Sequence, residues 1–285
     1  MNGSAAIDRV VLVVLDGLRP DAVDAFRLDH VAALAARGAT TFNARTVTPS
    51  VTAAAMASLF TGLAPARHGV VSDRFHVPRR RGPADPLPRV LTAAGLPSSA
   101  FVGSLPALYA GLARQIARHI GLARAVCSGE NARAIVASAR PTLVQQERGL
   151  IVLHWPDADR AGHEHGWMSR PYEAGARAMD QALGDLLGIL SRAGENDTLL
   201  IALADHGGGG AVANDHDSVH PTDQTIPIIL SGAGVVSGAL AGPVSLLDVP
   251  PTVLWALGVT CPPSYEGRVL SGAFAAAEPR VVVAA

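Results

Sequence analysis

Three apolar runs in this chain end abruptly on ionisable residues, and that pattern constrains the fold more than any other feature. Val10 to Leu15 runs into Asp16-Gly17, Leu150 to His154 into Pro156-Asp157 with Asp159 close behind, and Thr198 to Ala204 into Asp205-His206. A short β-branched and Leu run without alternation reads as a strand buried on both faces, as in a parallel sheet. Ligands of open α/β sheets bind outside the carboxyl ends of the strands. Three strands thus deliver carboxylates and imidazole to one edge.

Helical patterns separate these strands. The spacing predicts helices over 30–37, stopped by Gly38, over 52–60, stopped at Thr61-Gly62, over 172–192 and over 249–257. Further helices are expected over 105–125 and 131–147, the second kinked or split by Pro141. Thr40 to Val47, Ser98 to Val102 and Thr225 to Leu230 read as strands, and 74–90 as loop. Alternating strands and helices imply an α/β fold with a mostly parallel central sheet. One domain over 1–285 is the economical reading, with about 74–147 as the place for a small cap or insert.

Composition removes several function classes. Apolar residues make up 49% and charged residues 16%, as in an ordinary globular chain. The net charge of -1 carries no basic excess for a nucleic acid duplex. All 23 basic residues are Arg, so a Walker lysine, a Schiff-base lysine and a lysine general base are excluded. Cys127 and Cys261 are too few and too far apart for a disulfide framework, and read as buried free thiols. The N-terminus shows no signal-peptide pattern and no apolar run spans a bilayer, so a cytoplasmic protein without membrane contact is expected.

Asp16, Asp159, His163, Asp205, His206 and His216 form a ligand set suited to zinc or a similar divalent ion, and are numerous enough for two. Asp159 and His163, four apart, can reach one ion from a loop or a helical turn, though a surface pair in a Gly-containing loop would look the same. Asp205-His206 is a sharper signal, because ionisable residues closing a buried strand cost desolvation unless paired or bound. Thr52 opens a helix. It suits an N-cap, and equally a hydroxyl nucleophile beside helix N–H groups that hold a phosphate.

The segments VVLVVLDGLRPDAV, TPSVTAAAMASLFTGLAPARHGVV, PDADRAGHEHG, LIALADHGG and HDSVHPTDQTIPIILSGAGV resemble, in order, those of the nucleotide pyrophosphatase/phosphodiesterase branch of the alkaline phosphatase superfamily. LLDVPPTVLWALGVTCPPSYEGRVL resembles that family's closing helix and tail. The resemblance touches most of the chain outside about 75–147. It implies an alkaline-phosphatase-like fold and a two-metal hydrolase acting on a small phosphorylated substrate, through a phosphothreonine formed on Thr52. Asp16, Thr52, Asp205 and His206 would hold one ion, and Asp159, His163 and His216 the other. Zinc is the implied metal, and the donor types also admit manganese or iron. His216 is preferred to His220 from its spacing to Pro221 and Pro227, and Asp157 has the wrong spacing to His163. His68, His154 and His165 read as structural residues or as supports around the site. Helix N–H groups near Ala53 are expected to hold a non-bridging phosphate oxygen. One departure stands out: where such phosphodiesterases carry an Asn against the phosphate, this chain has Asp73, which as a carboxylate lacks a donor. A phosphonoacetate-type hydrolase, a phosphomonoesterase and a non-catalytic phosphate-binding relative are the alternatives. A sulfatase is disfavoured, since no Cys or Ser followed by Pro and Arg surrounds Thr52.

Overall fold

β1 (Arg9–Leu15) is buried along its whole length, which only a central strand covered on both faces can be. The computed structural model describes residues 7–74, 77–104, 107–193 and 197–275. Seven further strands flank β1 in one sheet: β2 (Ala39–Arg45), β3 (Ser98–Val102), β4 (Arg124–Cys127), β5 (Gly149–Trp155), β6 (Thr198–Leu203), β7 (Thr225–Gly232) and β8 (Gly238–Ala239). Their order is β4-β3-β5-β1-β6-β7-β2-β8, parallel throughout except where β7 runs against β6 and β2. Buried Val, Leu and Ile of β1, β5, β6 and β7 form the middle of the core. The helix Arg170–Ala193 covers it with Met179, Leu183, Leu186 and Leu190. At the far end of β1 from Asp16, the buried Arg9 guanidinium is satisfied by Thr198 Oγ1 and the Leu143 carbonyl.

The three central strands are neighbours, and their register decides the site. Val14 pairs with His154 on β5 and with Leu203 on β6. Side chains alternate faces along a strand. Asp16 and Asp205, each two residues beyond those partners, therefore rise on the same face as His154.

Four local expectations change. Residues 124 and 125, expected at the end of a helix over 105–125, instead open edge strand β4 (Arg124–Cys127) beside β3, and the helix covers Ala107–His119. Four residues carry too little periodicity to separate strand from helix, and pairing with β3 decides. The start of that expected helix, at residues 105 and 106, lies outside the described residues. The helix Ala132–Gln145 continues through Pro141, because Ile135, Val136, Ala139 and Leu143 bury its face and outweigh one lost amide bond. A helix, Leu87–Ala93, opens inside the expected 74–90 loop. Cys127 and Cys261 are free thiols, but half-buried rather than buried. No helix among the described residues is long and apolar enough to cross a membrane.

Candidate metal centre and nucleophile

Asp16 leaves β1 with its amide bonded to the Trp155 carbonyl, which ties it to the end of β5. Asp159 and His163 lie one turn apart on the helix Asp157–His165 that follows β5, rather than on a loop. Asp205 and His206 follow β6 and are fully buried. His216 enters from the loop before β7, and its backbone carbonyl accepts from Ser50 Oγ. Thr52 is the first residue of the helix Thr52–Thr61, with Val51 at the N-cap.

These side chains converge on one another. Thr52 Oγ1 stands 3.0 Å from His206 Nε2, which stands 3.2 Å from Asp16 Oδ1. His163 Nε2 is 3.4 Å from Asp159 Oδ1 and 3.1 Å from His216 Nε2. Donors about 2.1 Å from a tetrahedral or octahedral ion stand roughly 3.0–3.4 Å apart, which these separations match.

Three further observations bear on whether the cluster could hold metal ions. First, the tautomers are set. Nδ1–H of His163, His206 and His216 donates to the carbonyls of Asn214, Gly207 and Ser50, at 3.2, 2.9 and 2.6 Å. In its neutral form each ring would therefore turn a bare Nε2 lone pair inward, as a metal-binding imidazole does. Second, Nε2 of His163 and Nε2 of His216 face each other at 3.1 Å, so the two lone pairs repel unless a proton or a metal cation lies between or beside them. Third, Asp16 Oδ1, Asp159 Oδ1, Asp205 Oδ2 and His154 Nε2 are buried without a hydrogen-bond partner among the described residues. Buried carboxylate oxygens are costly when unpaired. The donor set fits divalent cations.

The charges tell the same story. Burial pushes the Asp16 carboxyl up to about 7, reinforced by Asp159 and Asp205. Burial works on Asp205 in the same direction, but His206, His154 and the Gly17 amide overcome it and hold the group below the usual carboxylate range. Burial lowers His216, helped by His206, which keeps this ring neutral. Burial opposes a charge on His206 and His154 too, but the carboxylates prevail: His206 rises well above its ordinary value and His154 rises to about 9. Without cations, imidazolium is what this carboxylate cluster calls for.

The structure brings all seven expected residues together and adds His154. Its Nε2 lies 3.4 Å from Asp16 Oδ2 and 3.9 Å from Asp205 Oδ2. Asp159 Oδ1, His163 Nε2 and His216 Nε2 lie within 3.7 Å of one another, as the resemblance implies, and two further groupings, Asp16–His154–Asp205 and Asp159–His206–His216, overlap the implied sets. His206 stacks on His216, with ring centroids 3.8 Å apart and planes 10° apart, so its Nε2 sits between both halves. The sequence signal for His154 was a lone His closing an apolar strand. Its meaning depends on register.

The rejected candidates have other work. Asp157 Oδ2 accepts from the Ala132 amide at the start of the earlier helix Ala132–Gln145. His220 caps the short helix before β7 through Thr222. His165 pairs with Glu164. Arg19 is committed to Asp21 and to the Gly208 carbonyl. Trp167 went unnoticed in the sequence. It packs edge-on against His163 and His216 while its Nε1 donates to the Gly17 carbonyl at 2.9 Å. Gly162 and Gly208 make room for it, since a Cβ on either would stand 2.7 or 2.1 Å from its ring. The Ala53 amide does not point at an empty pocket: Asp73 Oδ1 accepts from it at 2.7 Å.

With this geometry in view, comparison with known proteins is informative. The family model described as "Type I phosphodiesterase / nucleotide pyrophosphatase" matches residues 10–93 and 99–240. Among curated proteins, a 2,3-bisphosphoglycerate-independent phosphoglycerate mutase from Synechococcus is 32% identical over 148 residues, 48% of this chain and 26% of the relative. The corresponding mutase of Roseobacter denitrificans is 29% identical over 136 residues, 47% of this chain and 26% of the relative. The match thus spans about a quarter of the length of these relatives. Murine ectonucleotide pyrophosphatase/phosphodiesterase 5, solved as an inactive variant with AMP, superposes with a TM-score of 0.75 at 14% identity, covering 94% of this chain and all of that one. The lipoteichoic acid synthase LtaP of Listeria monocytogenes gives 0.70 at 16%, covering 90% of this chain and 74% of that one. A 2-O GAG sulfatase gives 0.73 at 15%, covering 94% and 74%. At such identities the structural likeness establishes the fold, which is alkaline-phosphatase-like.

Proposed function

Because the chain belongs to the type I phosphodiesterase/nucleotide pyrophosphatase family of the alkaline phosphatase superfamily, we propose that it is a two-metal hydrolase of phosphate esters, most of all phosphodiesters or nucleotide pyrophosphates, with Thr52 as nucleophile. The observation that carries this reading is the convergence of imidazole Nε2 atoms on carboxylate oxygens without hydrogen-bond partners, with the Thr52 hydroxyl 3.0 Å from His206 Nε2. Asp16, Asp205 and His206, with Thr52, would hold one ion, and Asp159, His163 and His216 the other. Two zinc ions suit the nitrogen and oxygen donors, and manganese or iron would also be accepted. Bound there, the ions supply Lewis-acid stabilisation to the attacking and leaving oxygens of an in-line displacement.

The chain's own residues do the rest. The helix start presents Thr52 Oγ1 beside His206, where its proton is most easily lost. Oγ1 attacks phosphorus, and the bond to the leaving oxygen breaks. The resulting phosphothreonine is then cleaved by water. Trp167 and the carbonyls behind the His rings keep the donors in register, so little reorganisation accompanies the reaction.

The test is hydrolysis of bis-p-nitrophenyl phosphate, p-nitrophenyl phosphate and phosphonoacetate, with metal analysis, by wild type and Thr52→Ala. The expected result is diester cleavage that falls by roughly three orders of magnitude or more in the variant, with about two ions retained. Cleavage of the monoester or of phosphonoacetate instead would move the substrate class. Retained metal with no turnover of any of the three would favour a binding protein on an enzyme fold. The mutase relatives motivate a second reading, in which a substrate hydroxyl rather than water takes the phosphoryl group from Thr52. Transfer to an added phosphoglycerate, followed by phosphorus NMR, would identify it.

A further inference from the structure

Asp73 is exposed, yet it is positioned by a buried scaffold. Ser58, on the Thr52–Thr61 helix, meets His68 Nε2 at 3.0 Å, and both residues are buried. His68 Nδ1 accepts from the Val70 amide at 3.1 Å, which turns the chain back toward the start of the same helix. Ser72 Oγ accepts from the Arg74 amide, tightening the bend around Asp73. The carboxylate then lands on the Ala53 amide at 2.7 Å.

That amide is the one immediately after Thr52. Four covalent bonds join its nitrogen to Thr52 Oγ1, so the two atoms stand on the order of 3–4 Å apart. A phosphoryl group approached by Thr52 Oγ1 therefore brings its free oxygens toward an amide that already holds a carboxylate. The helix start attracts anions, and Asp73 has taken that place itself. Every free anionic oxygen on the phosphoryl group meets this second negative charge at close range. A phosphomonoester is mostly a dianion above its second pKa near 6, whereas a diester carries one charge.

We propose that Asp73 is a specificity-determining residue, whose carboxylate holds the Ala53 amide against phosphoryl oxygens and so favours singly charged phosphodiesters over doubly charged phosphomonoesters. The proposal rests on the reading above only in that the phosphoryl group binds beside Thr52. It does not depend on which diester is cleaved.

The test is equilibrium binding, so that it does not rely on turnover. Asp73→Asn and Asp73→Ala are each placed in the metal-loaded Thr52→Ala protein. Affinities for p-nitrophenyl phosphate and bis-p-nitrophenyl phosphate are measured by calorimetry near pH 8, where the monoester is a dianion. Both variants are expected to tighten monoester binding by about ten-fold or more while the diester changes by less than about three-fold. The Ala variant separates loss of the carboxylate from gain of an amide donor. An unchanged ratio of the two affinities, or weaker binding of both ligands, would overturn the proposal. If wild type cleaves esters while the ratio stays fixed, the specificity role fails and the hydrolase reading stands. If the ratio shifts while wild type cleaves neither ester, the reverse holds.

Discussion

His154 shows how much one imidazole can matter without touching substrate. Its Nε2 lies 3.4 Å from Asp16 Oδ2 and 3.9 Å from Asp205 Oδ2, while Asp16 Oδ1 and the same Asp205 oxygen lie 3.2 and 3.7 Å from His206 Nε2. Residues that orient metal-binding carboxylates typically control affinity by 10–100-fold. His154→Ala should therefore fold and weaken zinc binding by about one to two orders of magnitude in a competition titration with a chromophoric chelator. Affinity equal to wild type would show that the ring merely fills space. Gly208→Ala should act differently. The new Cβ, 2.1 Å from the Trp167 ring, has to displace an indole that braces His163 and His216. Overpacking of this kind costs about 1–3 kcal/mol. A melting temperature lower by several degrees should accompany loss of activity, and an unaltered melting curve would contradict the packing argument.

Among the elements, the Thr52–Thr61 helix and the turn after it behave as one unit, joined by His68. Burial drives this imidazole down to about 4 from the usual 6.5, and its Nδ1 accepts the Val70 amide, so it is neutral when folded. Below pH 6.5 the unfolded chain takes up a proton at His68 that the folded chain refuses until about pH 4. Stability from this group is thus complete above pH 6.5 and is lost as pH falls toward 4. Between pH 7 and 5 the loss should be about 2 kcal/mol. Urea unfolding of wild type and His68→Gln at both pH values isolates it, because the variant should lose less on acidification. Equal losses would remove His68 as the cause. The same element logic explains β4 and the helix through Pro141, where neighbours outvoted local preference.

For the whole molecule, the consequence is a fold that carries electrostatic tension at one edge of its sheet. Asp16, Asp159 and Asp205 are drawn together by three different stretches of chain, with buried oxygens unpartnered. Divalent ions that bound that arrangement and not the unfolded chain would stabilise it by mass action. At a free concentration of 100 times Kd, one ion contributes about 2.7 kcal/mol. For a chain of this size each kcal/mol moves the melting temperature by about 2–4 °C. Chelation followed by desalting should lower the melting temperature by roughly 5–10 °C or more, and zinc should restore it. A melting temperature indifferent to metal would count against the ligand set as a whole.

Much of the α/β order was legible in the chain, because a buried parallel strand has to be a continuous apolar run and its carboxyl end has to stop on something polar. Asp16, Asp205 and His206 announce themselves in that way, and the D-x-x-G-H spacing of Asp159 and His163 adds to it. His154 was not legible. Its partners lie 138 positions upstream and 51 downstream, and only the pairing of Val14 with His154 and Leu203 puts all three on one face. Trp167 was hidden for the same reason, since the glycines that admit it come from two separate segments. The choice between His216 and His220 rested on spacing in the sequence, whereas the structure places one ring in the cluster and the other on a helix cap. Asp73 was visible as an anomaly, but its hold on the Ala53 amide depends on a buried Ser58–His68 contact that folds the loop back. Composition and periodicity are local, and determine which segments are strands and where charge is exposed at their ends. Which charges meet is set by register and by turns closed through distant side chains, and only the tertiary structure decides those.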